Sequence, residues 1–153
     1  MSTNPPKPVS RKIRRSLRIA VIASRFNQEI VDELLRACLE RLAQIGVPLA
    51  RIEVHRVPGA FELPLSAKLA AKTGKFAAII CLGVVVRGQT PHFQFVAGEA
   101  ARGIQQVGLE TGVPVIFGVL TTDTEKQARQ RIAAGRRAAD AAIEMAQLKT
   151  KFR

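Results

Sequence analysis

The stretch VVVRGQTPHF, residues 84–93, passes from an uninterrupted apolar run into an arginine, a glycine, two polar side chains, a proline and one of only two histidines in the chain. Pro91 suits the opening turn of a helix. His92 would then sit at a helix N-terminus, where unpaired N–H groups favour an anion and an imidazole offers both a proton donor and an acceptor near neutral pH. The bland alternative is a histidine that only caps that turn. Three further stretches place reactive side chains at the ends of apolar runs: SRFN at 24–27, VPGAFE at 57–62 and LTTD at 120–123. Together these segments supply arginine, asparagine, glutamate, glutamine, threonines and histidine, a set suited to acid and base work on an anionic small molecule. His55 alternates with Glu53 along a strand-like run and reads as structural.

Several other chemistries lack their signatures. No G-x-G-x-x-G follows the first apolar run and no Walker loop occurs, so a dinucleotide or nucleoside triphosphate would have no phosphate cradle. Two distant histidines without a partner cysteine or an H-E-x-x-H pattern argue against zinc. There is no G-x-S-x-G elbow for a serine hydrolase. Cys38 and Cys81 lie far apart inside apolar runs and read as buried free thiols.

The elements that must position the candidate residues are legible from periodicity. RIAVIAS (18–24) is a short strand. Ile30, Val31, Leu34, Leu35, Cys38, Leu42 and Ile45 then recur at helical spacing until Gly46 and Pro48 stop them. Alternation returns in ARIEVHRVP (50–58), with Ile52, Val54 and Arg56 on one face and Glu53 and His55 on the other. PLSAKLAAKTG (64–74) is a helix closing on glycine. FAAIICLGVVV (76–86) is apolar on both faces, as a strand between two helical layers must be. Residues 91–112 form a long helix, PVIFGVLT (114–121) the fourth strand, and two helical segments finish the chain, with Thr122 or Asp123 as the expected N-cap. Four alternations of strand and helix predict an α/β fold, a three-layer α/β/α sandwich on a four-stranded parallel sheet flanked by helices. In such sheets the site lies outside the carboxyl ends of the strands. All four quoted stretches fall there.

With 153 residues, nearly half of them apolar, the chain suits one domain. No signal-peptide core and no apolar run near the roughly 20 residues of a membrane span are present. No membrane contact and a cytoplasmic location are therefore expected. The net charge of +12 is concentrated at the ends. Residues 1–18 hold six basic side chains and no acid, residues 126–153 hold eight against Asp140 and Glu144, and the segment between them balances. We divide the chain into a basic arm, residues 1–17, and a single α/β domain, residues 18–153. The arm is either a solvated tail, as the Pro-rich MSTNPPKPVS ahead of it suggests, or a nucleic-acid contact working by counterion release.

Taken in order, SRFN, VPGAFELP, LGVVVRGQTPHF, ETGVPVIFGVLTTDT, QARQR and AAIEMA resemble the 6,7-dimethyl-8-ribityllumazine synthase family of riboflavin biosynthesis over about residues 18–148. The resemblance implies a flavodoxin-like fold. It also implies a transferase that condenses 5-amino-6-(D-ribitylamino)uracil with 3,4-dihydroxy-2-butanone 4-phosphate, without metal or organic cofactor. The implied assembly is a homo-oligomer built from pentamers, as a pentamer, a decamer or a hollow icosahedral shell of twelve pentamers, with the site between neighbouring subunits.

Carried onto this sequence, the resemblance gives His92 the proton transfers and Phe26 the stacking on the pyrimidine. Ala60, Phe61 and Glu62 would meet the ribityl chain and ring. Val84, Val85 and Val86 would line the pyrimidine pocket, and Phe117 would come from the adjacent subunit. Gln89 and Thr90 would hold the butanone phosphate, and Arg131 would clamp it. Past Arg131 the chain is shorter than the family pattern. One alignment gives Ala134 and Arg137 for the family's lysine and for the acid near its histidine. The other, which we favour, gives Arg137 for the lysine and Asp140 for the acid. A catalytically weakened relative that forms a shell or binds anions is the alternative function.

Overall fold

A computed structural model describes residues 6–7 and 16–152. The basic arm lies almost wholly outside these residues, so the choice between tail and nucleic-acid contact falls outside them too. The described chain alternates as expected: β1 (Ile19–Ser24), α1 (Gln28–Gln44), β2 (Ile52–Val57), α2 (Leu63–Lys72), β3 (Ala78–Val86), α3 (His92–Thr111), β4 (Val115–Thr122), α4 (Glu125–Arg129) and α5 (Ala134–Lys151). Every strand pairing is parallel, in the order β2-β1-β3-β4. Periodicity could not supply this order.

Strand alternation sorts the core into two halves. Ile19, Val21 and Ala23 of β1 and Ile80 and Leu82 of β3 pack under α1 and α5 with Leu34, Cys38, Leu42, Ala139 and Ile143. Ala20 and Ile22 face the other way with Ile79 and Cys81, under Leu63 and Ala67 of α2 and Ala100 and Ile104 of α3. Helices thus cover both faces, which makes the three-layer sandwich and, with this strand order, a flavodoxin-like fold. β1 is buried along its whole length and β3 up to its last residue. Each fully buried Ile or Leu contributes about 1.5–3 kcal/mol of transfer free energy, so the central strands hold the site's floor rigid.

Both cysteines are buried and unpaired, and burial pushes each thiol up to about 12. The expected N-cap at Thr122 or Asp123 is corrected: Thr124 caps α4, its hydroxyl accepting from the Gln127 N–H at 3.2 Å. Thr122 is committed elsewhere, as the last residue of β4 opposite Val86, with its own hydroxyl donating to the Thr124 carbonyl at 3.0 Å. Four residues separate α4 from α5, which lies against α1 with very little clearance. Gly135 is buried there, and a Cβ on it would stand 2.2 Å from the Leu34 carbonyl oxygen.

Candidate active site

The order β2-β1-β3-β4 sets the chain's first crossover reversal between β1 and β3, and the loops after these two strands meet there. After β1 the Arg25 N–H donates to the Val57 carbonyl at 2.8 Å and the Phe26 N–H to the Pro58 carbonyl at 3.0 Å, which ties the first loop to the second. Asn27 then turns into the left-handed region (φ 55, ψ 44), the one described residue other than glycine to do so. Asparagine tolerates that conformation because its short amide can bond locally. Its Nδ2 donates to the Val84 carbonyl at 2.9 Å, joining the first loop to β3, while its carbonyl receives the first N–H groups of α1. Phe26 is left projecting from this fixed turn, 73% exposed.

The loop after β2 is equally constrained. Gly59 donates its N–H to Glu62 Oε2 at 2.8 Å, and the Glu62 N–H returns to the Gly59 carbonyl at 3.3 Å. One carboxylate oxygen of Glu62 is thereby fixed and the other keeps its lone pairs for a ligand's hydroxyls. Ala60 is buried beneath this turn and Phe61 is 57% exposed beside it.

β3 carries Val84 and Val85 buried and Val86 half-buried to the rim. The Arg87 N–H still donates to the Thr122 carbonyl at 2.8 Å, and the chain then leaves the sheet. Gln89 and Thr90 lie exposed in the loop, and His92 is the exposed first residue of α3, with Pro91 at its N-cap. The side chains of Gln89, Thr90 and His92 make no hydrogen bond among the described residues, so all three remain open to a ligand. The long α3 points its N-terminus here, and its unpaired N–H groups suit phosphate. Beyond β4, Arg131 is exposed just after α4 and donates from Nη1 to the Gln127 carbonyl at 2.9 Å. Arg129 links that segment to Glu33 and Glu29 near the start of α1.

Other residues anticipated for the site stand apart from this rim. Phe117 pairs with Cys81 in the middle of β4, five residues short of Thr122. At a strand's rise that is about 16 Å from the rim. Its ring instead helps line an apolar groove with Leu109, Met145, Leu148 and Phe152 at the opposite end of the sheet. Asp140 is the acid favoured above as standing near the histidine, but in this protomer it accepts from Arg41 Nε at 2.7 Å, with both side chains largely buried. Arg41 lies fourteen residues down α1 from Asn27, about 20 Å from the rim. The physical reason is that Gly135 docks α5 onto the middle of α1 and the helix then runs away from the loops. Arg137 is exposed on the first turn of α5, between Gly135 and Asp140.

Sequence reasoning placed Asn27 and Arg87 in the stretches that meet at the rim but gave neither a role. An asparagine immediately ahead of a helix, tolerant of positive φ, was the available signal for the first. The second had none, because its partners Asp123 and Phe93 meet it only in the fold. Among the described residues no cluster of His, Cys, Asp or Glu gathers to hold a metal, and no helix is long and apolar enough to cross a membrane.

A family model described as 6,7-dimethyl-8-ribityllumazine synthase matches residues 16–150. A curated relative from Salinibacter ruber (strain DSM 13855 / M31), named 6,7-dimethyl-8-ribityllumazine synthase, is 47% identical over 140 residues, covering 88% of this chain and 90% of its own. With the flavodoxin-like sheet and the four loops converging on one rim, these matches establish that the chain belongs to the 6,7-dimethyl-8-ribityllumazine synthase family.

Proposed function

We propose that this protein is a 6,7-dimethyl-8-ribityllumazine synthase, a transferase that condenses 5-amino-6-(D-ribitylamino)uracil with 3,4-dihydroxy-2-butanone 4-phosphate. The observation that carries the reading is the rim itself. An exposed Phe26 ring, a half-engaged Glu62 carboxylate and an unpartnered His92 at a helix N-terminus stand on loops cross-linked by backbone hydrogen bonds in a chain of this family.

In the proposed site Phe26 stacks on the pyrimidine, where a flat apolar face meets a heteroaromatic one. Ala60, Phe61 and Glu62 hold the ribityl chain, and the main chain of Val84 to Val86 meets the ring. Gln89, Thr90, the α3 N-terminus and Arg131 hold the phosphate, the guanidinium by paired hydrogen bonds. The 5-amino group adds to the ketone carbonyl, water is lost to give an imine, phosphate is eliminated, and the ribitylamino nitrogen closes the ring with loss of water. His92 moves protons in these steps. Addition, elimination and dehydration need proton transfer, and gathering two reactants in the right orientation can itself remove several kcal/mol of barrier, of the order of 7–11 in the best cases.

The resemblance calls for a further aromatic face at the pyrimidine pocket, from the adjacent subunit. Phe117 is too distant from its own rim to supply it and lies exposed on the edge strand β4. We assign it to the neighbouring subunit's site, in a homo-oligomer built from pentamers, and we assign Arg137 the place of the family's lysine. The apolar groove around Phe117 supports an interface on that side. Two unpaired buried thiols suit a reducing compartment, and we place the reaction in the cytoplasm.

The test is to mix purified protein with both substrates and follow lumazine absorbance. A rate no higher than the spontaneous condensation would sink the enzymatic reading. Mass measurement in solution tests the assembly, and a monomer at assay concentration would overturn the shared site.

A further inference from the structure

The loop Gly88–Pro91 holds Gln89 and Thr90 and leads into His92, yet its own side chains make no hydrogen bonds among the described residues. Its two ends are fixed in the backbone, by the Arg87 N–H donating to Thr122 and by the Gln94 N–H donating to the Pro91 carbonyl at 3.0 Å. One side chain spans the gap. Arg87 Nε donates to Asp123 Oδ1 at 2.7 Å, and its guanidinium carbon lies 4.4 Å from the centre of the Phe93 ring. Asp123 directly follows β4 and Phe93 is the second residue of α3, so a single planar cation joins the end of the sheet to the first turn of the helix.

From this arrangement we infer that Arg87 is a positioning residue for phosphate binding, acting through the loop and through the α3 N-terminus. The inference rests on the synthase reading above for the identity of the phosphorylated substrate. A guanidinium suits the task because it can bond a carboxylate in its plane while stacking a ring against its face, which an ammonium cannot do as well. Arg87 and Asp123 are about half exposed or more, at 48% and 64%. Exposed ion pairs hold little folding energy, so the effect belongs in ligand binding and not in stability.

Three variants of the full chain test this: Arg87→Met, which keeps an apolar stem of similar reach; Arg87→Lys, which keeps the charge without the plane; and Asp123→Asn. Expected for Arg87→Met is a rise of roughly tenfold in KM for the butanone phosphate, since a displacement of about 1 Å can cost up to a hundredfold. The KM for the ribityl pyrimidine and the melting temperature should stay near wild type. Asp123→Asn should weaken phosphate binding in the same direction, and Arg87→Lys should recover part of the loss.

If Arg87 were instead a direct phosphate ligand, releasing it in Asp123→Asn would tighten phosphate binding, and that result overturns the inference. So would an unchanged KM in Arg87→Met, or an equal loss for both substrates together with a lowered melting temperature. Titrating inorganic phosphate into wild type and variants by calorimetry gives the same comparison without turnover. A wild-type protein that binds phosphate but shows no synthase activity would sink the functional reading while leaving the clamp testable.

Discussion

Gly135→Ala should destabilise the protein although alanine is the better helix former. The added Cβ would stand 2.2 Å from the Leu34 carbonyl oxygen, 3.1 Å from the Cys38 nitrogen and 3.2 Å from the Leu34 carbonyl carbon, all of them backbone atoms of α1. No rotamer change can move them, so α5 must lift by about 1 Å to restore ordinary contact, a gap that forfeits a quarter to a half of the dispersion well for the atoms around it. The interface that opens includes Leu34, Cys38 and Leu42 against Ala138, Ala139, Ala142 and Ile143.

Overpacking by one methyl group costs about 1–3 kcal/mol, and a contact this short lies toward the upper end. Alanine's helix preference over glycine returns up to about 1 kcal/mol, less in a first turn. The net loss of roughly 2 kcal/mol corresponds to a fall of about 4–8 °C in melting temperature for a chain of this size. Gly98, inside α3 and with nothing within 4 Å of an added Cβ, is the control. Gly98→Ala should raise the melting temperature by about 1–3 °C through propensity alone. Both variants and wild type are to be melted by circular dichroism at one protomer concentration, because subunit association shifts the midpoint. A Gly135→Ala midpoint at or above wild type would refute the close approach of α5 to α1.

His92→Ala is expected to slow lumazine formation without abolishing it, since positioning of the two reactants survives; unchanged product formation would remove the histidine from the mechanism. Cys38 and Cys81 should resist a thiol reagent at pH 8 in the native protein and both react once it is unfolded, because burial pushes each thiol up to about 12. Rapid native labelling of either would contradict their placement. Hydrogen bonds from Lys68, then from Gln106, hold the Glu110 carboxyl below its usual value and join α2 to α3. A depressed carboxylate stabilises the fold above its unfolded pKa of about 4.3 and loses that contribution as pH falls through the folded value. Glu110→Gln should therefore melt slightly below wild type at pH 7, the pair being exposed, with a gap that narrows as pH falls below the unfolded value, and a gap that did not change with pH would rule out the linkage.

How legible the molecule was depends on the range over which each feature is decided. Period and punctuation are local, so the strand from Ile19, the helix from Ile30 to Leu42 and the double-sided apolar run of β3 could be read directly. Parallel pairing followed from the alternation, and with it the convergence of SRFN, VPGAFE, VRGQTPHF and LTTD on one rim. Because the motifs resemble a family, roles could be assigned to Phe26, Glu62, His92 and Arg131, and the matches over most of the chain support that family. The N-cap of α4 was misplaced by one or two residues, since three candidate caps lie in a row at Thr122, Asp123 and Thr124 and only the length of β4 chooses among them.

Pairings between residues distant in the chain had to wait for the tertiary structure. The order β2-β1-β3-β4 depends on which crossovers pack best, not on any one segment. Asp140, favoured from the resemblance as the acid near the histidine, is Arg41's partner because Gly135 sets α5 against α1. Phe117 stands a strand's length from the rim because register with β3 places it opposite Cys81. Arg87 acquires its two partners from β4 and α3 only when those elements are brought side by side. Sequence determined the elements and the chemistry at their ends, since both follow from neighbouring residues, whereas which ends face one another is set by packing over the whole core.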